Sequence, residues 1–393
     1  MKRIVSSIVL FLFMSITGFT QDIPSDSLYL GQSAPGESPL LFAPGIVSRT
    51  DRFDHAITFH SNGQECYFSS SDMATNTSQI FHSEYMDSHW SSPTITSFSE
   101  DKDLSQPIFS KQEDRLYFNS YESGGTNLYY IEKESDEWSD PKLFPEPINS
   151  NFSDGDFFEV SDSLAYFTST RSGGSQDWGD IWCAQKNNDQ TWKVEKLEYG
   201  ISSNSTEFAP CLPADGSYMI ITSDRGGGYG EQDLYVSFKK EDNTWTSPIN
   251  MEKTGAGINI PGWHQTNPSL SPDEKYLFFS RHDPYPFETW NIYWISTSII
   301  TELKEIAFRT AIDEVRQSQL LIYPNPAKNN LYVDLNNSDL SNCCFELVSI
   351  SGVTMLNGNL KSNSIDISKL KTGIYFLQVI SDTEIITKQF IVE

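Results

Sequence analysis

The sequence predicts an all-β fold: a five-bladed β-propeller, with six blades as the alternative, followed by a small C-terminal β-sandwich. Three observations carry that expectation. One pattern of apolar strand, turn and aromatic strand recurs five times between residues 50 and 300, followed in four copies by a Trp-bearing strand. Prolines in those copies fall on the first strand or near the fourth, never on the second or third. Residues 320–393 hold short apolar runs separated by turn signals, the spacing of a β-sandwich.

Each copy opens on an apolar strand, at residues 56–60, 106–110, 157–161, 209–213 and 267–271. A turn follows, seen in Ser61-Asn62-Gly63, Ala214-Asp215-Gly216 and Ser271-Pro272-Asp273. The next strand ends in a small polar residue, Ser69, Asn119, Thr168, Thr222 and Ser280, at offsets of 50, 49, 54 and 58 residues. A third strand carries Ile80-Phe81, Leu128-Tyr129, Ile181-Trp182, Leu234-Tyr235 and Ile292-Tyr293. Trp90, Trp138, Trp192 and Trp245 then mark a fourth strand, followed in three copies by Pro93, Pro141 and Pro248.

Four short antiparallel strands per unit describe a propeller blade. Proline lacks the N–H that a central strand must donate, so its positions mark the inner and outer edges. The fifth copy lacks its Trp strand, while residues 40–48 resemble residues 143–150. The N-terminal segment is therefore expected to supply the outer strand of the last blade and close the ring, which removes an exposed sheet edge. A sixth blade would have to lie in residues 250–264.

These copies resemble the TolB-like propeller repeat. The matching residues are Ser271-Pro272-Asp273-Glu274-Lys275, Arg171-Ser172-Gly173-Gly174 with Asp180-Ile181-Trp182, and Arg225-Gly226-Gly227-Gly228 with Asp233-Leu234-Tyr235. The segment Tyr29-Leu30-Gly31-Gln32 with residues 42–48 resembles the opening of exported members of that group. The resemblance implies fold rather than activity, because such repeats serve scaffolds, sensors and enzyme accessory domains alike.

Both chain ends point to export. Lys2 and Arg3 precede an apolar run through Met14, and small or polar residues follow, the order of a secretory signal peptide over residues 1–21. No Cys lies near the expected cleavage point after Thr20, so a lipid anchor is not expected, and no later run is long enough for a transmembrane helix. At the other end, Tyr323-Pro324-Asn325-Pro326-Ala327, Leu331-Tyr332-Val333, Ser351-Gly352, Ile365-Asp366-Ile367, Gly373-Ile374-Tyr375-Phe376 and Lys388 resemble the C-terminal sorting domain of the type IX secretion system. That resemblance implies recognition by the type IX translocon and sorting machinery, passage through the periplasm, and release or display at the outer cell surface. The expected domains are thus the signal peptide, a propeller over 22–302, a linker over 303–319 and the sorting domain over 320–393. Adjacent Cys343 and Cys344 on one strand must face opposite ways, so only one can be core.

Charge narrows the function. The 393 residues carry 53 acidic and 27 basic side chains, a formal charge of −26, and residues 22–320 hold 46 of the acids against 20 of the bases. Such a surface repels a nucleic-acid backbone and suits cations or basic partners. No G-x-S-x-G elbow, P-loop or dinucleotide fingerprint occurs, and the six His residues show no ligand spacing in sequence. The Asp-Asn-Thr-Trp run at 242–245 only superficially resembles the Asp-box of sialidases and reads as a tight turn. Cys66, Cys183 and Cys211 fall on different strands and read as buried thiols rather than a disulfide.

The ligand-face candidates are Asp54, Asp156, Glu207 and Gln265, which begin or precede first strands, together with Arg171 and Arg225 at the Gly-rich loops. Arg171 with Asp180, and Arg225 with Asp233, read as charge pairs across a hairpin neck, or as anion capture by Arg and loop N–H groups. Carboxylates converging on the channel would suit acid–base work on a glycoside or calcium ligation; no motif implies another cofactor. The sequence thus supports a secreted or surface-displayed propeller that binds a protein or glycan. An extracellular carbohydrate-acting hydrolase is the alternative.

Overall fold

The computed structural model describes residues 28–122, 125–135, 137–171, 179–197, 200–284, 288–335, 343–360, 363–380 and 385–393, without the side chains of 310–319 and 335. The proposed signal peptide and the loop 172–178 lie outside these residues.

The chain is all-β in character, with five successive antiparallel sheets. The inner three strands of each are consecutive: Phe53–Phe59, Glu65–Ser71 and Ser78–Met86; Leu104–Phe109, Arg115–Glu122 and Gly125–Glu134; Asp154–Ser161, Leu164–Ser169 and Asp180–Lys186; Glu207–Cys211, Tyr218–Ser223 and Asp233–Phe238; His264–Leu270, Tyr276–His282 and Trp290–Ser296. The first strands pack side by side in order, and that of the fifth sheet returns to that of the first. In residues 250–264 the chain forms a short 3-10 turn, Met251–Thr254, and loop before the fifth sheet begins.

The N-terminal segment joins this arrangement as expected. Leu40–Leu41 pairs antiparallel with Trp290–Ser296, in the register Leu40 to Trp294 and Leu41 to Tyr293. The Phe42 N–H donates to Ile292 O at 2.8 Å, and Ser48 Oγ donates to the same carbonyl at 3.1 Å. Phe42, fully buried, packs its ring against Phe59 of the first sheet and against Phe278 and Trp294 of the fifth.

The outer edge differs from a single Trp-bearing strand. His89–Trp90 and Glu137–Trp138 fold back on the third strand as short hairpins, and pairing resumes after the proline at Thr94–Ile95 and Lys142–Leu143. Proline, with no N–H, interrupts the ladder there. The Trp side chains serve the neighbouring sheet: Trp138 Nε1 donates to the Tyr67 hydroxyl of the first sheet at 2.9 Å, and buried Trp245 meets Tyr166 edge-on. Before Trp245 the chain turns as read from sequence, with Asn243 at φ 63° and Asp242 Oδ1 accepting from Thr244 N.

Each first strand breaks register at an equivalent point, and the residue there has positive φ: Ala56 47°, Gln106 59°, Asp156 53°, Ala209 51° and Asn267 54°. Left-handed backbone at non-glycine residues is costly and persists only when neighbours hold it. The holding groups are the small polar residues that end the second strands. Ser69 Oγ accepts from Gln106 N at 2.9 Å, Asn119 Oδ1 from Asp156 N at 2.9 Å, Thr168 Oγ1 from Ala209 N at 3.1 Å and Ser280 Oγ from Ala56 N at 3.2 Å. Each bond ties one sheet to the next, and the last ties the fifth to the first. Replacing Ser69 by Ala should cost about 1 kcal/mol, the net worth of one such bond, read as a lower urea midpoint with unchanged slope.

Residues 303–319, expected as a linker, lie within the helix Ile299–Gln319. Ile299, Ile300, Leu303 and Ala307 recur at helical spacing and bury one face against Leu234, Val236 and Phe238 of the fourth sheet. Beyond it, one sheet of Leu320–Tyr323, Asn330–Leu335 and Ser364–Asp366 and another of Thr354–Asn359, Cys344–Ser349, Gly373–Ile380 and Ile385–Val392 share a core that includes Leu331, Leu347, Leu377 and Phe390. Cys343 packs partly against that core and Cys344 is exposed, and no disulfide joins any of the five cysteines, all of which lie among the described residues.

Candidate functional site

The carboxylates singled out in the sequence do not converge. Asp54 is fully buried, with its carboxylate on the Arg52 guanidinium at 2.8 Å and on Arg49 N at 2.9 Å. Burial pushes its carboxyl up to about 7 against the pull of Arg52. Glu207 is fully buried too, and accepts from Arg225 at 3.0 Å, Ser223 Oγ at 3.0 Å, and Ser203 N and Oγ at 2.8 and 2.6 Å. Gln265 takes the same place in the fifth sheet, fully buried and paired in register with Arg281.

In the third sheet the equivalent acid is Asp154, two residues before the left-handed position, and not Asp156. Arg171 Nη2 donates to Asp154 Oδ1 at 2.5 Å and to Ile148 O at 2.6 Å, while Nη1 reaches Pro147 O. The expected necks therefore pair otherwise: Arg171 meets Asp154 rather than Asp180, and Arg225 meets Glu207 rather than Asp233. Asp180 meets Lys196 at 3.0 Å. Asp233 accepts from Tyr229 N, Gly230 N and Asn250 Nδ2, so two N–H groups of its own loop are turned onto it. Both arginines also lie over aromatic rings, Arg171 over Phe167 and Trp182, and Arg225 over Tyr235. These groups brace each sheet beneath its face, because a buried charge is tolerated only when paired and hydrogen-bonded.

Asp156 alone of the sequence candidates stands in the channel clear of such a pair. It lines both a wide cavity of about 570 Å³ on one face and a narrow one of about 220 Å³ on the other, which places it at the waist. Its carboxylate accepts from Asn119 Nδ2 at 2.9 Å, Thr168 Oγ1 at 2.9 Å and Ala209 N at 3.2 Å, and burial raises its carboxyl above the usual range. At the narrow end Lys111 Nζ donates to Val160 O at 2.9 Å and to Ala214 O at 3.3 Å, bridging the third and fourth sheets.

The wide funnel is the candidate site. Cross-strand rows of the sheets form its mouth, as do Asp103, Tyr121 and Thr126 in the second sheet and His264, His282 and Trp290 in the fifth. The His264 and His282 rings stack at 4.3 Å and 9°, His282 lies 4.2 Å from Trp290, and His55 of the first sheet meets Trp290 at 4.9 Å. His55 Nε2 pairs with Ser71 Oγ at 3.1 Å. Burial holds His55 down at about 3, with His282 adding to the effect, and burial holds His282 at about 4. All three imidazoles are thus neutral near pH 7.

Sequence reasoning missed this row because the six histidines look scattered along the chain. The signal lay in the repeat columns: Ser71, Tyr121, Thr170 and His282 each stand two residues beyond the small polar residue that ends a second strand. All four line the funnel.

The histidines also give a pH dependence. Their folded values lie below the ordinary 6.5, so the unfolded chain binds more protons as pH falls from about 6.5 toward 4, and stability is lost there. Asp54 opposes this, being raised, so the difference between variants isolates the effect. Relative to His55→Gln, the wild type should lose about 3 kcal/mol between pH 6.5 and pH 4, at about 1.4 kcal/mol per pH unit; parallel denaturation profiles would contradict it.

Among the described residues no group of three or more His, Cys, Asp or Glu is arranged to hold a metal ion, and no helix is long and apolar enough to cross a membrane. Residues 321–393 match the family model described as a secretion system C-terminal sorting domain, which indicates export to the cell surface or secretion. No curated protein matches the chain. Similar solved structures include an α-L-arabinofuranosidase from Lactobacillus brevis, 15% identical, covering 63% of this chain and 90% of that one at a TM-score of 0.41. They also include a putative TolB from Agrobacterium tumefaciens, 12% identical, covering 75% and 81% at 0.38. A third is PorZ, a surface component of the type IX secretion system of Porphyromonas gingivalis, 12% identical, covering 86% of this chain and 45% of that one at 0.34. At these TM-scores the likenesses carry no argument about chemistry.

Within the sorting domain the matched residues tie the chain's last strand to its first elements. Asn325, between Pro324 and Pro326, accepts from Ile391 N at 2.9 Å, and Lys388 Nζ donates to Leu320 O at 2.5 Å. Tyr375 OH donates to Lys371 O at 2.9 Å just beyond Gly373, and Gly352 takes φ 77° in its turn, a conformation that favours glycine.

Proposed function

We propose that residues 22–302 form a five-bladed β-propeller that binds an extracellular protein or glycan in its wide funnel and performs no chemistry. Residues 303–319 connect it to a β-sandwich sorting domain over 320–393, and residues 1–21 direct the chain to the periplasm. One observation supports the binding reading above all: the buried acids Asp54, Asp154 and Glu207 each meet an arginine, so they are structural. Glycoside hydrolysis needs two carboxyls at a set separation, one protonated and one ionised. Of the acids expected to supply them, only Asp156 reaches the channel.

Asp103, which also lines the funnel, keeps a second reading in play, an extracellular carbohydrate-acting hydrolase using Asp103 and Asp156. A screen of the full chain on polysaccharides and synthetic glycosides, with binding measured in parallel, separates the two. Binding without turnover is expected; turnover abolished by Asp156→Asn would overturn the binding reading.

A further inference from the structure

The wide funnel has an electrostatic character that its neutral rim of histidines obscures. Among the described residues no Lys or Arg lines it, whereas Asp103, Asp154 and Asp156 do. Asp154 has its Arg171 partner. Asp156 takes its hydrogen bonds from Asn119, Thr168 and a backbone N–H, all uncharged. Asp103 is half-buried and accepts from Ser78 N. Burial raises both carboxyls, as expected of negative charge held in a cleft without a counter-ion.

Two further groups stand in the wall of the same space. His55 and Thr266 are each 4% exposed, line the funnel, and leave Nδ1 and Oγ1 without a hydrogen-bond partner. In the tautomer in which His55 Nε2 donates to Ser71 Oγ, the Nδ1 lone pair is an acceptor. Because burial keeps the His55 and His282 rings neutral, they do not repel a cation. The chain's overall charge of −26 would draw cations toward it.

We propose that the funnel captures an alkylammonium group, presented by a lysine side chain of an extracellular polypeptide, with Asp156 and Asp103 as its counter-ions and the unpaired Thr266 and His55 atoms as further acceptors. This rests on the binding reading above. A slender apolar stem ending in a compact charge suits a mouth that carries Tyr121 and Trp290 and narrows to a carboxylate at the waist. Anionic ligands find no counter-charge there.

The test is calorimetric titration of the full chain with a trilysine peptide, with spermidine, with neutral cellohexaose and with an anionic hyaluronan hexasaccharide. The trilysine peptide should bind, weakening about tenfold as salt is raised from low to high ionic strength, and Asp103→Asn should weaken it at least about tenfold. Asp103→Asn is the first variant because Asp156 also braces the fold; Thr266→Val tests the deeper acceptor. Binding of spermidine but not of the peptide keeps the alkylammonium site and reassigns the source to a free polyamine. Failure of both amines while cellohexaose binds overturns this inference and leaves the binding function standing. Glycoside turnover lost in Asp156→Asn would overturn the binding function itself.

Discussion

Phe42→Ala is expected to destabilise the protein by about 3–5 kcal/mol, the range for deleting a fully buried aromatic ring. The ring lies between Phe59 of the first sheet and Phe278 and Trp294 of the fifth, so its loss opens a cavity at the seam where the N-terminal segment joins the first and fifth sheets. Ala43 and Val47 beside it are already buried in the same cluster, so neither can enter that space without leaving its own. Chemical denaturation of wild type and variant measures the effect. A change under about 1 kcal/mol would mean that the seam contributes little.

Arg171→Met should rank with it. The substitution removes the cation from Asp154 and leaves Pro147 O and Ile148 O without their guanidinium donors. Taking one partner from a buried ion pair costs about 3–5 kcal/mol, because the remaining charge cannot reach water. The double variant Arg171→Met with Asp154→Leu should recover much of that loss, since an apolar pair of similar volume avoids the desolvation penalty. A single variant as stable as wild type would return Arg171 and its acid to the list of groups available to a ligand.

The architecture was readable because its causes repeat. Prolines mark the edges that need no N–H, and small polar residues recur near the ends of the second strands, where Ser69, Asn119, Thr168 and Ser280 each accept the strained N–H of the neighbouring sheet. Residues 373–380 and 385–392 are two of the apolar runs that predict strands in the C-terminal domain, whereas Thr354–Asn359, largely exposed, carries too little apolar pattern to be read.

The site was read less well, for a physical reason. Positive φ is a property of the backbone, and the residues that adopt it are Ala, Gln, Asp, Ala and Asn, with no shared side-chain chemistry. The third copy was therefore opened at Phe157, one residue past its left-handed position, and Asp156, two residues after Asp154, stood in for that acid. The ion pairs were misassigned because Arg171 and Arg225 turn back to the first strand instead of across the hairpin. The apolar face of the helix Ile299–Gln319 lay among Glu and Lys residues, which gave it the look of a linker.

Amide hydrogen exchange at the seam tests the closed ring most directly. If residues 40–48 complete the fifth sheet, the N–H groups of Phe42 and Ile292, bonded to Ile292 O and Ser48 Oγ, should exchange as slowly as those of the central strand Tyr276–His282 and together with them. Exchange of the Phe42 N–H at the rate of a free chain, while Tyr276–His282 stays protected, would contradict closure and with it the funnel built on the ring.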